Sequence, residues 1–386
     1  MENTLATAPK ARISVPVIAL ALYAVASGYL MSIIPLMLPH YGLEGSLASW
    51  LASVFYAGLL AGAMVFEPIV NKFGHRKSFI WCLIAFIATI LVLPTIINSW
   101  AWLASRFVAG VAVAGVFVIV ESWLLHGDES DRAKRLGLYM GSLYGGSSLG
   151  QLGIGFLGIT GSLPFVAILV LLILAVLVLM FGRTDQPEEG QSSALSLKQI
   201  SKLNHAAIIG CVVSGLTLGA IYGLMPVELF NRGIANDNIG SLMALVILGG
   251  MAVQPLVPWM SKFLGRTLLM ALFCLLGVAA IGFVTINESI YALAASLFVL
   301  GMAVFALYPV AINLGCDKMD PAYIVSITQV MLFSYSVGSV VGPVLADSFM
   351  GLEQGLLGYL FASLLATCIY MLLASIKTKR QAMAGE

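Results

Sequence analysis

Charge is scarce in this sequence. Only 10% of its 386 residues are Asp, Glu, Lys or Arg and 60% are hydrophobic, whereas an ordinary soluble domain carries about 25% charged residues. A water-facing surface cannot be built from that composition, so the chain reads as an integral membrane protein. Histidine is scarcer still. His40, His75, His126 and His205 fall at span ends or in loops, with no H-E-x-x-H and no nucleophile–base arrangement, which argues against an enzyme, a metal site or a cofactor. The five cysteines, Cys82, Cys211, Cys274, Cys316 and Cys368, are widely spaced in or beside apolar runs and outline no disulfide framework. No Gly-Lys dipeptide occurs, which excludes a phosphate-binding loop and with it an ATP-driven pump. A net charge of +1 offers nothing to nucleic acid.

What the chain has is apolar length. Runs long enough to cross about 30 Å of hydrocarbon recur near 15–38, 48–70, 78–97, 102–125, 136–160, 164–182, 206–229, 239–260, 268–286, 290–315, 324–349 and 356–376. The fold class is therefore all-α, with twelve transmembrane helices. The longest polar interruption, Arg183 to Asn204, splits them six and six. Its Pro187, Glu188, Glu189, Gly190 and serines suit a flexible linker, with Leu195 to Leu203 as a candidate surface helix. The domains are then a first half at 1–182, a cytoplasmic linker at 183–205 and a second half at 206–386.

Positive residues sort by side. With the N-terminus inside, seventeen of the nineteen Lys and Arg fall in inner segments, leaving Arg232 outside and Arg106 within the bilayer. Both termini are thus expected in the cytoplasm, with the chain crossing the cytoplasmic (inner) membrane. Lys10, Arg12 and Ala24-Val25-Ala26 imitate a cleaved signal peptide, but removing the first helix would reverse that bias, so the helix is expected to stay.

The two halves repeat one another. Gly62 to Val70, with Glu67-Pro68, aligns with Gly249 to Val257, with Gln254-Pro255; Ala104 to Gly110 aligns with Ala295 to Gly301; Ser142 to Gly150 aligns with Ser334 to Gly342. The offsets of 187, 191 and 192 are close to half the chain. Parallel repeats of this kind are related by an axis along the membrane normal and hold a cavity between them near the midplane, which predicts alternating access by rocking.

Six-plus-six spans with a basic loop after the second resemble the major facilitator superfamily. The loop Glu67-Pro-Ile-Val-Asn71-Lys72-Phe-Gly74-His75-Arg76-Lys77 is similar to that family's G-x-x-x-D-R-x-G-R-R motif, with Glu67, Asn71, Lys72 and His75 as departures. A weaker echo is Ser261-Lys262-Phe-Leu-Gly265-Arg266, and Arg106-x-x-x-Gly110 matches the fourth-span motif. Val120-Glu121-Ser122, Tyr222-Gly-Leu-Met-Pro226 and Ser334-Tyr335-Ser-Val-Gly338 are similar to its YcaD-like branch. The resemblance implies a secondary transporter of a small organic solute, proton-coupled and working as a monomer in the lipid bilayer. A drug or metabolite efflux antiporter is the alternative. The antiporter pattern G-x-x-x-G-P-x-x-G-G is incomplete in span 5, where Gly146 replaces the proline. A non-transporting sensor or scaffold on the same fold is the reading from another class.

The candidate site residues follow. Arg106 and Glu121 lie about 22 Å apart on one helix and cannot neutralise each other. The resemblance implies a coupling role for Arg106, in which its charge tunes a neighbouring acid; the plain alternative is snorkelling to the headgroups. Glu121 is expected to pair with Arg76 or Lys72 at the inner gate, or to sit as a solvated interfacial carboxylate. Glu67 is expected to form a protonatable pair with Glu121. Asn71, Lys72, Gly74 and Arg76 form the inner gate loop. Tyr144, Ser147, Ser148 and Gln151, at i, i+3, i+4 and i+7 on span 5, are expected to line the cavity, with helix packing as the rival reading. Tyr222, Asn313, Gln329 and Tyr335 join them. The second half carries Leu297 where the first has Arg106, so any coupling device is one-sided, and a cavity poor in fixed charge suits a neutral, zwitterionic or amphipathic solute.

Overall fold

The computed structural model describes residues 13–125, 135, 137–182, 204–287, 289–317 and 324–384, and the expected linker helix at Leu195 to Leu203 falls outside them. Among the described residues every regular element is helical. The first half comprises α1 (Ser14–Met37), α2 (Leu47–Phe73), α3 (His75–Thr95), α4 (Ser99–Leu125), a segmented α5 (137–157) and α6 (Leu163–Phe181). The second comprises α7 (His205–Asn231), α8 (Asn236–Val253), α9 (Arg266–Ile286), α10 (Ile290–Cys316), α11 (Ile324–Met350) and α12 (Gly355–Ala384). Eleven of these are long and apolar enough to span a membrane unbroken; α5 is the twelfth.

The sequence explains the break in α5. Glycines at 141, 145, 146, 150 and 153 remove the side chains that hold a helix in register. A π-helical turn forms at Gly141–Gly145, followed by α-helix at Gly146–Gln151 and, after Leu152, at Gly153–Leu157. Elsewhere polar caps start the helices. Asn98 Oδ1 accepts from the amide of Trp100 at 2.9 Å, Asn204 from Ala206 at 2.9 Å and Ser289 Oγ from Tyr291 at 3.3 Å.

Backbone approach repeats between the halves. A Cβ on Gly110 of α4 would overlap the carbonyl oxygen of Phe55 on α2, and a Cβ on Gly301 of α10 would overlap that of Val246 on α8. Both residues of the second pair stand 191 positions after those of the first. Likewise Gly150 meets Val25 of α1, and Gly342 meets Leu216 of α7. Small residues let helices approach where burial from water supplies no force between them. The sequence repeat is therefore a repeat of contacts.

The halves touch at one end. This far end lies opposite the basic end, which carries Lys72, Arg76, Lys262 and Arg266. There Gly223 of α7 packs on Ala52 of α2, Gly240 of α8 on the Gln151 carbonyl, and Gly155 on Asp237. Asp347 of α11 lies beside Ser49, in the first turn of α2. Toward the basic end, α4 and α10 make no substantial contact among the described residues, and Glu121 and Asn313 on them are exposed.

Candidate functional site

Helical geometry puts Arg106 and Glu121 within about 60° of one face of α4, about 22 Å apart along its axis. Arg106 is 6% exposed, so it does not snorkel to a headgroup. Its guanidinium carbon lies 4.3 Å from the centroid of the Phe55 ring, a cation–π stack that offsets part of the cost of burial, about 2 kcal/mol where water is excluded. The Gly110–Phe55 backbone contact one turn along brings α2 close enough for that stack. Tyr56 and Tyr23 are the titratable side chains near enough to act on Arg106 electrostatically. Ion pairs between described residues are Arg232–Glu228 and Arg266–Asp317, and neither involves Arg106. Among the described residues, then, no acid is paired with Arg106 for it to tune. Against Arg106 a small cavity of ≈ 20 Å³ remains, room for one water. Met31, Phe55 and Tyr56 wall it from the first half, Tyr222 and Gly223 from the second.

Glu121 and the basic loop correct an expectation. The carboxylate of Glu121 accepts from the hydroxyl of Tyr139, at the start of α5, at 2.9 Å. Arg76, expected to pair with it, donates through Nε to the Leu179 carbonyl at 2.5 Å and through Nη2 to the Met180 carbonyl. The free carbonyls at a helix C-terminus concentrate partial negative charge and attract a guanidinium as an acid would. Lys72 is exposed, its ammonium 5.3 Å from the Phe73 ring centroid. The loop reaches α4 through His75 instead, whose Nε2 lies 3.0 Å from Ser122 Oγ and whose ring lies 5.7 Å from that of Trp123. Gly74 makes the turn, with φ at 80° between α2 and α3. Glu67 and Asn71 sit on the last turns of α2, but their side chains lie outside the described residues.

Aromatic rings occupy the middle of the seam. Tyr144 meets Phe305 edge-on at 5.5 Å, Tyr222 meets the same ring at 6.1 Å, and Tyr308 meets Tyr335 at 4.9 Å. These rings come from both halves and carry hydroxyls but no formal charge.

The rest of the span-5 stripe is engaged in helix packing, and Ser148 also borders a cavity of ≈ 480 Å³ between α5 and α8, with Leu149, Leu152, Ser241 and Leu248. Ser148 Oγ donates to the Ala244 carbonyl at 3.2 Å, and Gln151 Nε2 to the Gly28 carbonyl at 2.7 Å. The Ser147 backbone abuts Gly28. A buried amide or hydroxyl must find an acceptor, and the close approach of α1 and α8 supplies a carbonyl to each. Asn313 Nδ2 donates back to the Pro309 carbonyl at 2.8 Å. Gln329 is exposed on α11.

Phe55, Tyr56, Tyr139 and Phe305 were not singled out from the sequence. For Phe55 a signal existed: parallel packing that sets Gly58 against Phe107 and Val111, and Gly62 against Val111 and Ala114, puts that ring beside Arg106.

The sequence pattern of the Major Facilitator Superfamily matches residues 17–343. The uncharacterized MFS-type transporter YcaD of Escherichia fergusonii is 33% identical over 364 residues, 93% of this chain and 94% of that one. An uncharacterized MFS-type transporter of Enterobacter sp. (strain 638) is 32% identical over 360 residues, 92% and 93% of the two chains. Solved structures share the fold at lower identity. A mutant of the nucleoside transporter NupG superimposes with a TM-score of 0.79 at 10% identity, covering 93% of this chain and 98% of that one. A bacterial homolog to the human lysosomal transporter Spinster, inward-facing and unoccupied, gives 0.68 at 15% identity, covering 94% of each.

Proposed function

Because this chain belongs to the Major Facilitator Superfamily, we propose that it carries a small organic solute across the cytoplasmic membrane by alternating access, driven by protons. That it is a multi-pass membrane transporter and not an enzyme follows from the family itself. With the basic end in the cytoplasm, as the positive-inside rule requires, both termini lie inside. The observation that carries the reading is the seam: halves joined at the far end by Ala52–Gly223 and Gln151–Gly240, parted around Glu121 and Asn313, with an uncharged ring of tyrosines between. Such a geometry is one end-state of a rocking cycle, open to the cytoplasm.

Glu121 is the proton carrier of this reading. It is exposed on the open side, and the Tyr139 hydroxyl gives it a hydrogen-bond partner when ionised. Among the described residues no acid is paired with Arg106 for it to tune, so this reading places the proton on Glu121. Protein reconstituted in sealed vesicles tests the proposal. Saturable solute uptake that an imposed pH gradient drives above equilibrium is expected, whereas uptake indifferent to the gradient would exclude proton coupling. A protein that moves no member of a broad solute panel, even in counterflow, would favour a sensor on a transporter fold.

A further inference from the structure

Arg106 is a buried cation facing a void that both halves wall. Arg106 is 6% exposed, its guanidinium stacked on Phe55, and the ≈ 20 Å³ space against it is closed by Tyr222 and Gly223 of the other half. No described acid on the packed helices pairs with it. Glu67 lies twelve residues, about 18 Å, along α2 from Phe55, Glu121 is four turns along α4, and Asp347 is held by Ser49, six residues, about 9 Å, along α2 from Phe55 on the other side. A buried ion is tolerated in hydrocarbon when it has a partner, and the described residues offer this one two tyrosines and a ring.

We propose that Arg106 binds the carboxylate of a monoanionic organic solute at the seam, with Tyr56 beside it and Tyr222 closing the site from the second half. A guanidinium presents a planar fork of donors that matches a carboxylate in two parallel hydrogen bonds. The repeat limits the charge to one: Leu297 stands where a second arginine would be, and the neighbouring rings Tyr144, Phe305, Tyr308 and Tyr335 take an apolar or aromatic body. That body distinguishes the site from one for an inorganic anion, which would gain nothing from Met31, Phe55 and Tyr222 to offset its lost hydration. Because one wall belongs to each half, rocking the halves apart at the far end widens the void and admits the carboxylate.

The proposal rests on the transporter reading for the word solute, and binding tests it separately. In detergent, without a gradient and in chloride-free buffer, benzoate, phenylacetate and hexanoate are each compared with their primary amides by thermal shift. At least one acid is expected to stabilise the protein at a concentration about ten-fold or more below its amide, as about 1.4 kcal/mol per charged contact implies. Arg106→Gln is expected to erase that preference, and Arg106→Lys, which keeps the charge but loses the fork, to weaken it about ten-fold. If Arg106→Gln does not fold, the lysine variant carries the test, and an undiminished preference in it overturns the assignment. So does a panel with no acid-over-amide preference, or a preference that survives in Arg106→Gln, or an equal shift from chloride alone. Acid binding without counterflow would refute transport and leave the site standing. Counterflow of the amides alone would do the reverse.

Discussion

At the scale of single residues, the two charges of α4 have separate surroundings and separate tasks. Glu121 is exposed and bonded to Tyr139, so replacing it changes a proton site without opening a buried gap. Glu121→Gln is expected to keep solute counterflow and to lose accumulation driven by a pH gradient; gradient-driven accumulation equal to that of the parent would assign coupling to another group. The glycines offer an internal control, since Gly110 and Gly301 make the same backbone contact in the two halves. Gly110→Val and Gly301→Val should each cost about 1–3 kcal/mol by overpacking, seen as a lowered Tm. Gly110→Val alone should also weaken solute binding, because it pushes Phe55 away from Arg106 while its counterpart has Leu297 nearby instead. Equal binding losses in the two variants would show that the Phe55–Arg106 stack is not part of the site.

Elements are tied at their ends, and differently in each half. Arg76 fastens the α2–α3 turn to the C-terminus of α6 through the Leu179 and Met180 carbonyls. Arg266, its counterpart, fastens the α8–α9 turn to the end of α10, through the Asn313 carbonyl at 3.1 Å and the Asp317 carboxylate. Arg76→Ala is expected to cost about 1–2 kcal/mol, read as a lowered Tm. The far end has its own tie. Glu228, buried near the end of α7, accepts from Arg232 Nε at 2.6 Å and from the Leu356 amide at 3.0 Å, while Arg232 donates to the Gln354 carbonyl at 3.2 Å. Gly355, at φ 54°, leaves room for that carboxylate where any Cβ would strike it. Glu228→Ala should cost about 1–3 kcal/mol, since it strands the buried Leu356 amide, and faster hydrogen exchange at that amide would locate the loss. An unchanged exchange rate would mean that the α11–α12 turn is held by other contacts.

The whole molecule is two copies of one helix bundle meeting at the far end. The approach there is tight enough for a single side chain to wedge it: a Cβ on Gly223 would fall 2.6 Å from the Cβ of Ala52. Gly223→Val should therefore disfavour the joined state and raise the population of molecules open at the far end. Spin labels on Glu44 and Glu353, in loops of opposite halves at that end, would report a longer mean separation in a background without native cysteines. An unchanged separation would show that other far-end contacts set the state.

Much of this was legible in the sequence. Apolar length and the bias of Lys and Arg yielded twelve spans, because a chain in hydrocarbon must satisfy its backbone within helices and has few ways to do so. The repeat from Gly110 to Gly301 yielded the two halves, because a close backbone contact tolerates only a small residue and leaves a periodic mark. Partners of the charged residues were not legible. Arg76 chose carbonyls that every helix end presents and no sequence distinguishes, and Glu121 chose a tyrosine on α5. Ser148 and Gln151 had the spacing of a cavity stripe; backbone on α8 and α1 bonds them, and Ser148 also borders a cavity. The sequence alone determined that Arg106 is a charge inside the membrane. Only the tertiary structure decided that it faces a void shared by both halves, with no described acid paired with it, because that depends on which helices α4 packs against and how closely.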